Sequence, residues 1–306
     1  MAMASYHEPV LLRDSVDALV TDADGIYVDV TFGGGGHSME ILKKLGKKGK
    51  LIAFDQDEDA IKNTIDDKRF MLIRSNFSYM KNFLRYNQAL PVTGVFADLG
   101  ISSHQIDTAE RGFSTRFDAS LDMRMNNRSE LTAGKIINEY PEEKLREIFR
   151  EYSDLREAKS LAKKIVAQRS VQPFATTGEL LEILKTETNR GHEFQFFAKV
   201  FQALRIEVNR ELEALKEMLM QCRDVIAEKG RLVVISYHSL EDRLVKNFIA
   251  AGNFSGEVER DAIFGQPAET AFTAINKKPI EASETEINKN TRARSARMRV
   301  AERNKH

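Results

Sequence analysis

Cysteine is almost absent: Cys222 is the single thiol in 306 residues. That excludes an intramolecular disulfide and any thiolate metal cluster built by this chain alone. The six histidines are scattered without metal-ligand spacing and no Cys-x-x-Cys occurs, so no metal site is expected. A net charge is also lacking. With 46 Lys+Arg against 46 Asp+Glu, the chain is not a globally basic nucleic-acid binder, although a local basic patch fits on a neutral body. No apolar run approaches the roughly 18 to 20 residues that span a bilayer. The amphipathic stretch Val10 to Val20 is interrupted by Arg13, Asp14 and Asp17, so it is not an apolar signal core. These absences lead to the expectation of a cytoplasmic protein.

What is present suffices for a real core. Hydrophobic residues make up 42% of the chain and charged residues 30%, which excludes disorder over its whole length and fits one large domain or two ordinary ones. Four short apolar runs, Gly25 to Val30, Lys50 to Phe54, Phe70 to Ile73 and Val92 to Ala97, read as strands. Helical patterns at Ser38 to Leu45 and Glu58 to Ile65 lie between them, with Gly46 placed to end the first. Alternation of this kind predicts an α/β fold with a parallel sheet.

The next strand-like run, Arg231 to Ser236, starts about 130 residues after the fourth ends. A crossover between parallel strands needs only a dozen or so residues, so something the size of a domain is inserted. It reads as helical. Leu145, Ile148, Phe149 and Tyr152 recur at three-and-four spacing within the charged stretch Glu142 to Arg169. Pro173 and Thr176-Thr177-Gly178 break the pattern, Leu180 to Leu184 resumes it, and a long helix from about Phe194 to Ala227 is expected to lead back to the sheet. After Lys246 the pattern becomes less regular. The chain divides into residues 1–105 with 207–306, and an inserted helical segment, 106–206.

Asp29-Val30-Thr31-Phe32-Gly33-Gly34-Gly35-Gly36-His37-Ser38 joins the first strand directly to a helix. Glycines here permit a sharp turn and let a ligand approach main-chain N–H groups at the positive end of the helix. Taken alone, such a loop also serves as a plain turn. Asp55 ends the second strand about twenty residues later, where a carboxylate accepts from both hydroxyls of an adenosine ribose. The dinucleotide pattern G-x-G-x-x-G fails: its third glycine falls on Ser38 or Met39. S-adenosylmethionine fits instead, having no pyrophosphate to cradle. Asp57 reads as a first-turn helix residue, and Phe77 as either an adenine-stacking ring or ordinary core.

Asp98 stands at the carboxyl end of the fourth strand, in Phe96-Ala97-Asp98-Leu99-Gly100-Ile101-Ser102-Ser103-His104-Gln105. That edge of a doubly wound sheet faces the reacting group. An oxygen there can accept from an exocyclic N–H and localise the nitrogen lone pair; the competing reading is a turn residue capping Gly100 and the serines. Near the end, Ser239 with Asp242 resembles a capping box, while Tyr237 and His238 point toward the same sheet edge. Arg111 and Arg124 lie where the chain enters the insertion, placed to pair with acidic neighbours or to meet phosphate. Arg292, Arg294, Arg297, Arg299 and Arg303 face only Glu302 nearby, which makes the first four candidates for binding phosphate. Cys222 reads as a helix residue without chemistry.

HEPVLL (His7 to Leu12), DVTFGGGGHS, DLGISSHQID, RGFS (Arg111 to Ser114), LDMRM (Leu121 to Met125), FQALRIEVN (Phe201 to Asn209) and SYHSLEDR (Ser236 to Arg243) occur in this order. Together they resemble the ribosomal RNA small subunit methyltransferase H family, over about His7 to Arg303. The resemblance implies a Rossmann-like S-adenosylmethionine-dependent methyltransferase sheet with an inserted substrate-recognition domain. It implies methylation of N4 of a cytidine in the decoding region of 16S rRNA, with that RNA or the small subunit as partner. It places Gly35, Gly36 and His37 on the methionine side of the cofactor, Asp55 on the ribose, Phe77 beside the adenine, and Asp98 and Gln105 closing the pocket. Asp98 is also the candidate catalytic group. The chain departs from the family pattern at His104, where proline is common, and at Gly34. The alternatives are a methyltransferase for a small molecule or protein, and an adenosine-ligand binder without turnover.

Overall fold

The computed structural model describes residues 9–188, 191–258 and 269–305. His7 and Glu8 of the first motif lie outside the described residues. The chain begins with α1 (Leu12–Leu19), β1 (Ile26–Asp29), α2 (Gly36–Lys44), β2 (Lys50–Asp55), α3 (Glu58–Ile61), β3 (Phe70–Arg74), α4 (Met80–Tyr86) and β4 (Val92–Asp98). Six helices follow: α5 (Ser103–Asp107), α6 (Ala133–Glu139), α7 (Glu142–Ser153), α8 (Ala158–Val171), α9 (Thr177–Lys185) and α10 (Glu193–Asn209). Then come α11 (Glu211–Val225), β5 (Ile226–Ser236), α12 (Ser239–Ala251), β6 (Phe272–Ala274), α13 (Glu284–Lys289) and β7 (Arg297–Arg303).

One unit comprises the residues up to Gly100 and from Leu212 onward. Its sheet has the order β3-β2-β1-β4-β5-β7-β6, with β1 to β5 parallel and β7 antiparallel to both β5 and β6. Successive side chains alternate between the two faces. Val28, Ile52, Val95 and Val234 enter one core with Leu215 and Phe248, while Tyr27, Leu51, Phe96 and Val233 enter another with Leu19 and Ile41. Burial on both faces is why these strands are apolar throughout instead of alternating with polar residues. β6 and β7 correct the expectation of irregular chain after Lys246. β7 lies between two strands, and its Met298, Val300 and Ala301 are buried, a pattern that the interspersed arginines disguise.

The other unit runs from Ile101 to Glu211 and has its own core, with Leu145, Ile148, Phe149, Leu161, Val200 and Leu204 fully or almost fully buried. Its limits fall at 100/101 and 211/212 instead of the expected 105/106 and 206/207. The reasons are local: Ile101 packs on this unit's core, and Glu211 holds Arg205 at 2.8 Å. The single long helix expected over Phe194 to Ala227 is instead two. α10 ends at Arg210, which takes a left-handed φ of 49°. Asn209 pins this end, donating to the Met123 carbonyl at 2.8 Å and accepting from the Met125 N–H at 2.7 Å. Asp154, with φ 50°, similarly divides the charged stretch into α7 and α8. Arg124 pairs with Asp122 at 2.6 Å, and buried Arg111 donates to the carbonyls of Arg124 and Met125. Among the described residues, no helix is long and apolar enough to cross a membrane.

Candidate active site

β1 lies between β2 and β4, so strand order reverses beside it, and in an open α/β sheet ligands bind at the carboxyl ends of the strands flanking such a reversal. Three of those strands end in aspartate: Asp29 on β1, Asp55 on β2 and Asp98 on β4. Asp29 is buried and Asp55 and Asp98 are half-buried, and desolvation is the main cause raising their pKa values, to about 6 for Asp29, about 6 for Asp55 and about 7 for Asp98. Like charge adds to this, because Asp55 acts on Asp29 and Asp29 acts on Asp98. A cluster of desolvated carboxylates is stabilised by a bound cation.

The glycine turn faces the same edge. Gly33 and Gly35 have φ of 52° and 78°, left-handed values that side-chain-bearing residues rarely adopt. A Cβ on Gly35 would lie 2.9 Å from the Phe32 ring, and one on Gly36 would lie 2.3 Å from Pro9. The turn is therefore as tight as backbone alone allows. Gly35 caps α2 without any side-chain hydrogen bond, leaving the helix N-terminus to main-chain contacts. Buried Asp29 braces the loop by accepting from the Thr31 N–H at 3.0 Å and the Ser38 hydroxyl at 2.6 Å.

Asp55 accepts from the Gly33 N–H and the Asp57 N–H, each at 2.8 Å, one on each carboxylate oxygen. These two donors orient the carboxylate, and each oxygen retains a lone pair for a ribose hydroxyl. Asp57 caps α3 by accepting from the Asp59 N–H. Phe77 lies in a short 3-10 turn just after β3, half-buried and packed on one of the cores.

Asp98 is held on two sides. Its N–H donates to Thr31 Oγ1 at 2.6 Å, and its Oδ1 accepts from the Tyr237 hydroxyl at 2.8 Å. Its Oδ2 lies 3.8 Å from His37 Nδ1. Burial lowers the His37 pKa to about 4, so the imidazole is neutral at pH 7. Its Nε2 donates to the Val10 carbonyl at 3.1 Å, which leaves Nδ1 as an acceptor. The Asp98 Oδ2 and His37 Nδ1 acceptors thus face the same edge, 3.8 Å apart and beyond hydrogen-bond distance of each other.

Other expected residues lie elsewhere or do something different. Gln105 belongs to the Ile101–Glu211 unit, where it is buried and accepts from the Ser102 N–H in a capping box. His238, not Ser239, caps α12, with Glu241 completing the box one position earlier than the pattern suggested. Arg299 is not a phosphate-binding side chain. It is buried in an ion pair with Asp242, because its place on β7 turns it into the structure. Arg294 and Arg297 are exposed and Arg292 is half-exposed. Asp29 and the anchoring role of Tyr237 were not foreseen. The only signal for Asp29 is that it ends its strand just before the glycine turn, as Asp55 and Asp98 end theirs.

A reversal-point turn of glycines, a ribose-type carboxylate and a cation-seeking acidic edge define an S-adenosylmethionine-dependent methyltransferase. Residues 4–304 match the pattern of the MraW methylase family, and the chain belongs to it. It is 54% identical over 298 residues to Ribosomal RNA small subunit methyltransferase H of Bacteroides fragilis (strain YCH46), covering 97% of both chains. The protein of that name from Christiangramia forsetii is 54% identical over 301 residues, covering 98% of this chain and 99% of its own. Among solved structures, an rRNA methylase from Streptococcus thermophilus is similar over 99% of this chain and 100% of that one, at 14% identity and a TM-score of 0.42.

Proposed function

We propose that this enzyme methylates N4 of a cytidine in the decoding region of 16S rRNA, with Asp98 as the group that assists the amine. The observation that carries this reading is the facing pair Asp98 Oδ2 and His37 Nδ1, two acceptors beside the glycine turn. An exocyclic amino group brings the N–H donor that such a pair lacks. Relatives bearing the small-subunit rRNA methyltransferase name along their whole length support the choice of substrate.

In this reading Gly35, Gly36 and His37 line the methionine end of the cofactor, Asp55 receives the ribose hydroxyls, and Phe77 lies beside the adenine. When bound, S-adenosylmethionine would supply an electrophilic methyl group for the cytidine N4 lone pair and would leave as the neutral thioether. Asp98, ionised above its pKa of about 7, accepts a hydrogen bond from the amine and localises the attacking lone pair. It then takes the proton that the methylated nitrogen sheds and returns it to water. Cys222, fully buried with its pKa raised by burial, takes no part as a nucleophile. The helical unit of residues 101–211 serves as the RNA-recognition domain, and Arg292, Arg294 and Arg297 meet phosphate. The reaction belongs to the cytoplasm, where its substrate is assembled.

The deciding experiment is methylation of small-subunit particles from cells lacking the protein, followed by nucleoside mass spectrometry. N4-methylated cytidine is expected with the parent protein and not with Asp55→Ala. No methylated cytidine from a cofactor-binding parent protein overturns the substrate.

A further inference from the structure

Tyr237 lies one residue beyond the end of β5, and its hydroxyl donates to Asp98 Oδ1 at 2.8 Å. The phenol holds its proton at physiological pH, because burial and the adjacent Asp98 push its pKa well above the usual tyrosine value. It is therefore a permanent donor. The other groups acting on Asp98 do not share this property. Asp29 and Glu241 act on it as like charges, and His37 presents the unprotonated Nδ1. Gly100, at φ 95°, runs beside the Tyr237 ring, which a Cβ there would meet in ordinary contact at 3.4 Å.

We propose that Tyr237 is a positioning residue for methyl transfer, fixing Asp98 through Oδ1 so that Oδ2 is the oxygen offered, opposite His37, to the amine. The inference rests on the reading of Asp98 given above. One oxygen engaged by a fixed donor holds the carboxylate in a single orientation with Oδ2 toward His37, whereas an unanchored carboxylate would rotate and divide its time between the two. The same hydrogen bond favours the ionised carboxylate, so its removal raises the pH at which Asp98 becomes competent.

The test is Tyr237→Phe. Its kcat is expected to fall by about tenfold, while the Kd for S-adenosylhomocysteine by calorimetry stays within about twofold. Two pH readouts move together: the acid limb of kcat/KM, and the carboxyl 13C titration of Asp98 in the cofactor-free protein, both upward by about one pH unit. Replacing Tyr237 by 3-fluorotyrosine, a stronger donor of nearly the same shape, moves the carboxyl midpoint the other way. That arm keeps the test decisive if the phenylalanine variant folds poorly. A carboxyl titration unchanged in either variant overturns the inference. If Asp98→Asn turns over at the parent rate, the reading of Asp98 fails; if Asp98→Asn is inactive while Tyr237→Phe matches the parent in rate and pH profile, the inference about Tyr237 alone fails.

Discussion

Asp242 on α12 grips Arg299 on β7 through two hydrogen bonds, from Nε to Oδ1 at 2.6 Å and from Nη2 to Oδ2 at 3.1 Å. Arg297, two residues earlier on the same strand, is exposed and only 3.7 Å from the same carboxylate. Arginines on one face of the same strand therefore have different duties, set by how deep each lies: Arg297 starts β7 and is exposed, whereas Arg299 sits within it and is buried.

Arg299→Ala should lower stability by about 3 kcal/mol, since breaking a buried pair strands the partner charge. Arg294→Ala and Arg297→Ala should leave the thermal midpoint within a few degrees. Thermal unfolding of the three variants checks the contrast.

Salt titration of RNA binding separates the same residues in another way. Removing Arg292, Arg294 and Arg297 together should reduce the slope of log Kobs against log salt by about 2 to 3, roughly one per lost phosphate contact. An unchanged slope would place the RNA elsewhere on the protein.

Asp55→Ala should weaken cofactor binding by on the order of 100-fold, the loss of two charge-assisted hydrogen bonds shared with ribose. Calorimetry with S-adenosylhomocysteine measures this, and a folded circular dichroism spectrum keeps it distinct from loss of structure.

Asp98→Asn should retain cofactor affinity to within a few-fold and lose kcat by about 100-fold or more. The amide is nearly isosteric but accepts a proton poorly. Single-turnover methylation measures the chemical step directly.

Stability of the cofactor-free protein should fall as pH rises. Asp29, Asp55 and Asp98 have folded pKa values of about 6, 6 and 7, above the ordinary aspartate value of 3.8. The native state thus binds more protons than the unfolded chain, and the stabilisation present below about pH 4 is lost as pH passes through 6 to 7. His37, lowered from 6.5 to about 4, works the opposite way between those limits, one group against three. The thermal midpoint should drop between pH 5 and pH 8, and the gain on adding S-adenosylmethionine should be larger at pH 8.

The candidate site was legible in the sequence wherever backbone geometry alone demands a residue type. The glycine turn had to be glycine because φ of 52° and 78° and a 2.9 Å approach to Phe32 exclude side chains. Asp55 and Asp98 were legible because each ends an apolar run. Tyr237 was legible only as a residue near the edge, since the hydrogen bond that gives it a role joins positions 139 residues apart.

By itself the sequence determined the α/β class, the five parallel strands and the inserted helical unit, because short apolar runs and helical periodicity are local properties of the chain. Tertiary structure alone decided what local patterns cannot encode. Asn209 breaks an otherwise continuous helix by bonding to Met123 and Met125. β7 enters between β5 and β6, burying Arg299 and exposing Arg297. Asp29, Asp55 and Asp98 become a mutually repelling, desolvated cluster only when three distant strand ends share one edge, and that shared edge makes their protonation responsive to a cationic ligand.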